Sequence, residues 1–385
     1  MAKPLRVGLI GQKFMGRAHS NAWSQAGRFF ELPLRPELAM ISARDGDELR
    51  AFAARWGWAA STARWRDLVA DPGIDLVDVA TPNHVHAEQA IAALAAGKHV
   101  ACEKPLARDL DDARAMAAAA KKAARKGVRT FVWFNYRRCP AIGAAWRLVR
   151  EGRLGRIHHV RATYLQSWGG PDTPFSWRFK KKLAGSGAHG DLNAHIVDLA
   201  RFLTGDEVER VHGAVARTFV KERAVPGQKG ETERCDVDDC VAFLASFKGG
   251  ATASFEASRV APGHQNRNTI ELNGEKGSLA WDFEDMNVLR FCDASDGPGE
   301  GGWRRIMCTS GPHHPYVANW WPDAHVLGYE HGFVNMVADI CRALGGEEPE
   351  LPLPDFEDAL RTQRVLEAAL VSAREGRAVK LSEVK

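Results

Sequence analysis

Apolar and polar positions follow two rhythms along the first 133 residues. Short apolar runs at 5–10, 38–42, 76–80, 99–102 and 129–133 predict buried strands. Between them, residues 16–25, 47–56, 87–96 and 111–126 carry helical periodicity, the last rich in alanine. Strands alternating with helices of this length predict a doubly wound α/β domain, a parallel sheet with helices on both faces. The rhythm changes after a helix predicted at 140–150. Strands then come in series, at 157–168, 210–219, 239–247, 251–257, 268–273, 277–282 and 287–292, broken by one strong helix at 190–203. Serial strands predict an α+β domain with a large mixed, mostly antiparallel sheet and helices on one face. Residues 285–326, rich in Gly, His, Pro and Trp, are expected to form an irregular loop, and 329–344 and 355–374 closing helices. The expected division is a nucleotide-binding domain at 1–133 and a substrate-binding and oligomerisation domain at 134–385.

Composition narrows the partners. The 385 residues carry a net charge of only +4, and the densest basic run is Lys180-Lys181-Lys182. Three adjacent lysines usually mark a wet face, so nucleic acid is not expected. No apolar run approaches the roughly 20 residues of a membrane span, and Lys3 and Arg6 flank a strand rather than the apolar core of a signal peptide. Seven scattered cysteines are expected to be reduced thiols in a cytoplasm. Cys235 and Cys240 match no common zinc spacing, and no metal is expected.

The first strand leads into the loop of VGLIGQKFMGRAHS, residues 7–20. Gly11 and Gly16 match the first and third glycines of a G-x-G-x-x-G fingerprint, and Lys13 replaces the second. The first glycine allows the tight turn, the third allows close helix–strand packing, and the second lets backbone approach a pyrophosphate. A helix beginning near Phe14 still offers free N–H groups and a positive dipole end. Lys13 is therefore either a tolerated substitution or a direct phosphate contact. The second strand ends Ser42-Ala43-Arg44-Asp45. Asp45 suits the adenine ribose of NAD and Arg44 the 2′-phosphate of NADP, which leaves the choice open.

Three further stretches carry a family resemblance. They are TPNHVHAEQAIAALAAGKHVACEKPLA at 81–107, NYRRCPA at 135–141 and GSGAHGDLNAHIVDLARFLTG at 185–205. With the opening loop, they resemble the glucose–fructose oxidoreductase / inositol dehydrogenase / rhizopine-catabolism (Gfo/Idh/MocA) family over nearly the whole chain. GYEHGF at 328–333, after HPYVANWWPDAH at 314–325, looks most like members acting on sugars and anhydrosugars. Lys13 departs from the family's glycine pattern, and Asn193 stands where a glycine is common, a change expected to reach the substrate pocket.

The resemblance implies a Rossmann domain followed by a mixed-sheet domain, NAD or NADP, and a carbohydrate or polyol substrate. It implies cofactor contacts from Gly11, Lys13, Phe14, Met15, Gly16, Arg44, Asp45, Thr81 and Asn83. Glu103, Lys104, Asn135 and Arg137 join them, and a cis bond at Lys104-Pro105 is expected. His86 is either a cofactor contact or a helix-start residue, and Arg137 has a structural alternative. Asp191 and His195, four apart, share one face of a helix. A carboxylate and an imidazole projecting together can move a proton at neutral pH. The expected roles are His195 as base, Lys104 polarising the substrate oxygen and Asp191 orienting substrate. Trp177, Arg178, His325 and Tyr329 are further substrate candidates, with Trp168 a possible wall beside Trp177. Indole faces suit a sugar ring, and Arg and His supply hydrogen bonds.

The main expectation is an NAD(P)-dependent sugar or polyol oxidoreductase, as a homodimer or homotetramer. The alternatives are redox-neutral glycoside cleavage and a non-catalytic regulatory protein. Intact Lys104, Asp191 and His195 argue against the last.

Overall fold

The computed structural model describes residues 2–384 and divides them into two compact units. The first gathers 2–138, 319–321 and 327–360, and the second gathers 139–318, 322–326 and 361–384. The units are thus not contiguous in sequence. The expected cut at 133/134 misses the segment 327–360, which returns to the first unit because its apolar helix covers a face there.

In the first unit, chain order runs β1 (Lys3–Ile10), α1 (Phe14–Phe29), β2 (Leu34–Ser42), α2 (Gly46–Trp56), β3 (Ala60–Thr62) and α3 (Trp65–Ala70). It continues with β4 (Leu76–Val79), α4 (His86–Ala95), β5 (His99–Cys102), α5 (Leu110–Ala124) and β6 (Thr130–Val132). Among the described residues the six strands pair in parallel in the order β3-β2-β1-β4-β5-β6. This is the doubly wound order whose ligand crevice opens where the connections reverse, beyond the carboxyl ends of β1 and β4. Val7, Leu9, Leu76, Val77, Val79 and Val100 are fully buried, as strands covered on both faces require. Edge strand β3 and helix α3 were not expected. Ala60-Ser61-Thr62 is short and partly exposed, so it carries no apolar run to read.

α1 buries Gly16, His19, Ser20, Trp23 and Ala26 along one stripe. The returning helix α9 (Tyr329–Leu344) lies against it, with Phe333 beside His19 and Trp133.

The second unit opens with α6 (Pro140–Arg150), β7 (Ile157–Leu165) and the short α7 (Lys181–Ala184). Next come a π-helical turn at His189–Asn193 and α8 (Ala194–Thr204). The strands are β8 (Val208–Arg217), β9 (Glu222–Ala224), β10 (Thr232–Arg234), β11 (Cys240–Phe247), β12 (Thr252–Ser258), β13 (Arg267–Gly274), β14 (Gly277–Asp282), β15 (Val288–Asp293), β16 (Arg304–Met307) and β17 (Val379–Lys380). α10 (Phe356–Glu375) carries the chain from the first unit into the second. Among the described residues the large sheet has nine strands, ordered β16-β15-β14-β13-β7-β12-β11-β8-β17, and β9 and β10 form a separate hairpin. Only the β12–β7 pair among them is parallel, as a mixed, mostly antiparallel sheet should be. The expected loop at 285–326 contains β16, whose Arg304-Arg305-Ile306-Met307 has one apolar alternation too few to stand out.

Residues 194–203 of α8 are buried all round between the sheet and α6. The expected single helix over 190–203 is corrected here, because it starts as a π turn. Asn193, fully buried, donates to His189 Nδ1 at 2.9 Å and to the Val241 carbonyl at 3.3 Å, and His189 Nε2 lies 2.8 Å from the Leu366 carbonyl. A helix widened by one residue satisfies these internal bonds, and such bulges recur at functional sites. The turn is pinned from β11's side of the unit, where the Asp238 carboxylate accepts the Gly187 and His189 N–H groups at 2.8 and 2.7 Å.

A Cβ at Gly187 would lie 1.7 Å from the Asp238 carbonyl oxygen. Gly187→Ala is therefore expected to lower the thermal midpoint by several degrees, as backbone clashes of this kind cost about 2 kcal/mol or more. An unchanged midpoint by calorimetry would contradict this seating of the turn.

Candidate active site

The loop after β1 is built for close approach. A Cβ at Gly11 would sit 2.3 Å from the Ala80 carbonyl, and one at Gly16 would sit 2.4 Å from the Gly11 carbonyl. Gly11 also has φ of 123°, which favours glycine. No side chain caps the first turn of α1, so its N–H groups face the crevice. The buried Gln12 Oε1 beside them has no partner among the described residues. The residues present fit a dinucleotide pyrophosphate.

Lys13 points elsewhere. Its Nζ lies 2.6 Å from both oxygens of Glu48, on α2. This surface ion pair favours the tolerated substitution over the phosphate contact and explains how a lysine stands at this glycine position. Asp45 is the N-cap of α2, accepting the Glu48 N–H at 3.1 Å, and Arg44 beside it is exposed. Phe14 is half exposed and stacks parallel to Tyr329 with ring centroids 6.2 Å apart. Met15, behind it, is half-buried. Tyr329, expected as a substrate contact, thus stands beside the loop after β1 in the first unit.

Past β4, Thr81 Oγ1 donates to Gln89 at 2.7 Å, and Asn83 starts a single helical turn. His86 is fully buried. Its Nε2 lies 2.8 Å from the Thr81 carbonyl and its Nδ1 3.2 Å from the Pro105 carbonyl. Burial lowers its pKa. His86 therefore ties two crevice loops together, which favours a structural role over a cofactor contact. Asn135 and Arg137 are buried as well, and Arg137 donates to Asp358 at 2.6 Å. That ion pair supports the structural alternative for Arg137.

The loop after β5 carries Glu103, Lys104 and a cis peptide bond to Pro105. Glu103 was expected at the cofactor, but its carboxylate turns inward. Oε1 lies 3.0 Å from His19 Nε2, and Oε2 accepts the Lys104 backbone N–H at 3.0 Å. The other ring nitrogen of His19 meets Asp78 at 2.9 Å. Asp78 also accepts the indole N–H groups of Trp23 and Trp133, at 2.7 and 2.9 Å. Burial alone would depress the His19 pKa, but Asp78 and then Glu103 overcome it and hold it at about 9. The Lys104 side chain is half-buried at the carboxyl end of the strand.

In the second unit, Asp191 lies in the π turn and His195 in the first turn of α8, so the two do not share a regular α-helical face as their spacing predicted. His195 is buried and its ring lies 5.8 Å from that of Tyr164. Asp191 is held by Arg259, whose Nη2 is 3.0 Å from Oδ2 and whose guanidinium lies over the Trp168 ring. Trp168 packs against the small Phe179–Cys235–Val237 core, so it is a support rather than an open wall. Trp177 and Arg178 are half-buried, with the Arg178 guanidinium over the Trp177 ring at 4.5 Å. His325 is exposed and bonded to the Pro322 carbonyl at 2.8 Å. Asn193, expected to reach the pocket, is instead the internal strut described above.

Sequence reasoning missed Arg259, Tyr164 and Asn266. Tyr164 donates to Asn266 at 2.7 Å, which also accepts from Gln166, and Gln166 accepts the Trp168 indole N–H. Tyr164, Gln166 and Trp168 recur every second residue on one face of β7 and its extension, a period-two signal that was available. Nothing local marks Arg259. Among the described residues no group of three or more His, Cys, Asp or Glu could hold a metal ion.

The family models agree with this geometry. Residues 5–132 match the oxidoreductase family with an NAD-binding Rossmann fold, and 142–280 match the GFO/IDH/MocA C-terminal domain. A levoglucosan dehydrogenase from Pseudarthrobacter phenanthrenivorans is 41% identical over 96% of both chains. The chain belongs to the Gfo/Idh/MocA family. It is an NAD(P)-dependent oxidoreductase of that family, and its relatives are sugar and polyol dehydrogenases. An oxidoreductase domain protein from Kribbella flavida superposes with a TM-score of 0.94 at 52% identity, covering 99% of this chain and 100% of that one. A levoglucosan dehydrogenase in complex with NADH and levoglucosan superposes at 0.92 with 40% identity, covering 98% and 99%.

Two outcomes are expected. Lys13→Gly leaves NADH affinity and its salt dependence unchanged within about threefold, because an exposed ion pair is worth little. A marked loss in a fluorescence titration would restore the phosphate contact. The His19 pKa is raised in the fold, so its stabilisation is full below about pH 6.5 and is lost as pH rises through about 9. Thermal midpoints of the wild type and His19→Gln should therefore converge between pH 7 and 10, and parallel curves would contradict the buried cation.

Proposed function

We propose that the chain oxidises a hydroxyl of an anhydrosugar or a closely related sugar or polyol, with NAD as the cofactor. The observation that carries this reading is the near full-length similarity to levoglucosan dehydrogenase. A bound nicotinamide ring would accept the carbinol hydrogen together with its electron pair. Gly11, Gly16 and the open first turn of α1 would hold the pyrophosphate. His195 would take the hydroxyl proton, as a buried imidazole near neutral pH can. Lys104 would hold the charge that develops on the substrate oxygen. Asp191, fixed by Arg259, would accept a hydrogen bond from a second hydroxyl and so set the sugar's orientation. Trp177 would offer a face to the ring, with Arg178 and His325 at its edge.

We further propose a homodimer or homotetramer in a cytoplasm. Val215 on β8 and Leu244 on β11 are half exposed on the open face of the nine-stranded sheet, where apolar exposure suits a second copy. The seven cysteines are unpaired, which suits a reducing compartment. No helix among the described residues is long and apolar enough to cross a membrane.

The test is a panel of anhydrosugars, sugars and polyols with NAD⁺ and NADP⁺, read by absorbance and product analysis. One reduced cofactor per oxidised sugar is expected, with levoglucosan among the substrates. Lys104→Ala and His195→Ala are each expected to lower kcat by about 10²-fold or more while NADH still binds. Glycoside cleavage without NADH, or full activity in both variants, would overturn the assignment.

A further inference from the structure

A histidine cation buried between two carboxylates is an unusual thing to keep. Replacing such a cluster by packed apolar side chains is often neutral or stabilising. Stability therefore gives little reason for His19, Asp78 and Glu103, but their position gives another. The Glu103 oxygen that His19 does not use accepts the Lys104 backbone N–H. Direct bonds thus run from Asp78 through His19 and Glu103 to Lys104. The His19 ring is held at both nitrogens and lies 4.2 Å from the Trp133 ring, and the indole N–H groups of Trp23 and Trp133 hold Asp78 at its two oxygens.

The charges around His19 are few. β4 supplies Asp78. The end of β5 supplies Cys102, Glu103 and Lys104, and α4 supplies His86. Burial raises the Cys102 thiol pKa and lowers that of His86, so both stay neutral near pH 7. The residue after β6, Trp133, and Phe333 of α9 contribute rings.

We propose that His19 is a positioning residue for Lys104. It holds the Glu103 carboxylate beneath the Lys104 amide and sets the field in which the Lys104 ammonium stands. The proposal rests on the role given to Lys104 above. With His19 protonated, the three side chains carry one net negative charge; without it they carry two. Loss of the His19 cation therefore stabilises the Lys104 ammonium, and loss of the Glu103 anion does the reverse.

The experiment follows Lys104 directly. The full-length protein is treated with an amine-acylating reagent across a pH series, and labelling of Lys104 is quantified by mass spectrometry. His19→Gln should move the Lys104 midpoint up by about half a pH unit or more, and Glu103→Gln should move it down. In turnover, His19→Gln should lower kcat about tenfold while KM and NADH affinity change less than about threefold. Glu103→Gln, which keeps an oxygen for the Lys104 amide, should lose less. Midpoints that stay put, or move the same way in both variants, overturn the proposal. If His19→Gln does not fold, Asp78→Asn replaces it, with a downward shift expected. Labelling needs no turnover, so a protein inactive on every sugar would overturn the assigned function alone. Unmoved midpoints in an active enzyme would overturn only the role of His19.

Discussion

A carboxylate buried beneath the carboxyl end of a parallel sheet must be compensated where it stands, and in this protein that constraint organises the first unit. Asp78 and Glu103 lie on neighbouring strands, β4 and β5, with His19 from α1 between them. Their bonds tie helix, sheet and crevice loop into one block. The same helix α1 presents its uncapped first turn to the crevice and Gly16 to the Gly11 carbonyl. One element thus carries the anion-binding end and, five residues after its start, the cation that secures the lysine loop. Any shift of α1 would disturb both at once.

The second unit solves a similar problem differently. Asp191 sits in a π turn rather than in regular helix, and its charge is matched by Arg259, which is itself buried against Trp168. The turn is held from within by Asn193 and His189 and from without by Asp238. A widened helical turn places the carboxylate by internal hydrogen bonds, so its direction does not depend on a mobile loop. Glu103 and Asp191 are therefore each fixed by a buried basic partner, His19 in the first unit and Arg259 in the second.

How much of this was legible follows from what each signal measures. Apolar runs and helical periods report burial, so both sheets and α8 could be read, whereas β3 and β16 bury too little to register. Gly11 and Gly16 report close backbone approach, and a Cβ at either position would meet a carbonyl oxygen. Residue type and spacing do not report direction. Glu103 faces inward, His86 bonds carbonyls, Arg137 pairs with Asp358 and Lys13 pairs with Glu48. Each of these depends on a partner between 5 and 221 residues away. The return of 327–360 to the first unit is likewise a tertiary fact, because an amphipathic helix does not say which face it will cover.

The central claim is that the first unit binds a nicotinamide dinucleotide through the open turn of α1, despite Lys13. It is tested most directly by titrating the protein with NADH and following energy transfer from tryptophan to nicotinamide, for the wild type and for Gly16→Ala. The account predicts saturable binding by the wild type and its loss in the variant, whose Cβ would meet the Gly11 carbonyl. No transfer in the wild type, or equal affinity in both proteins, would contradict it.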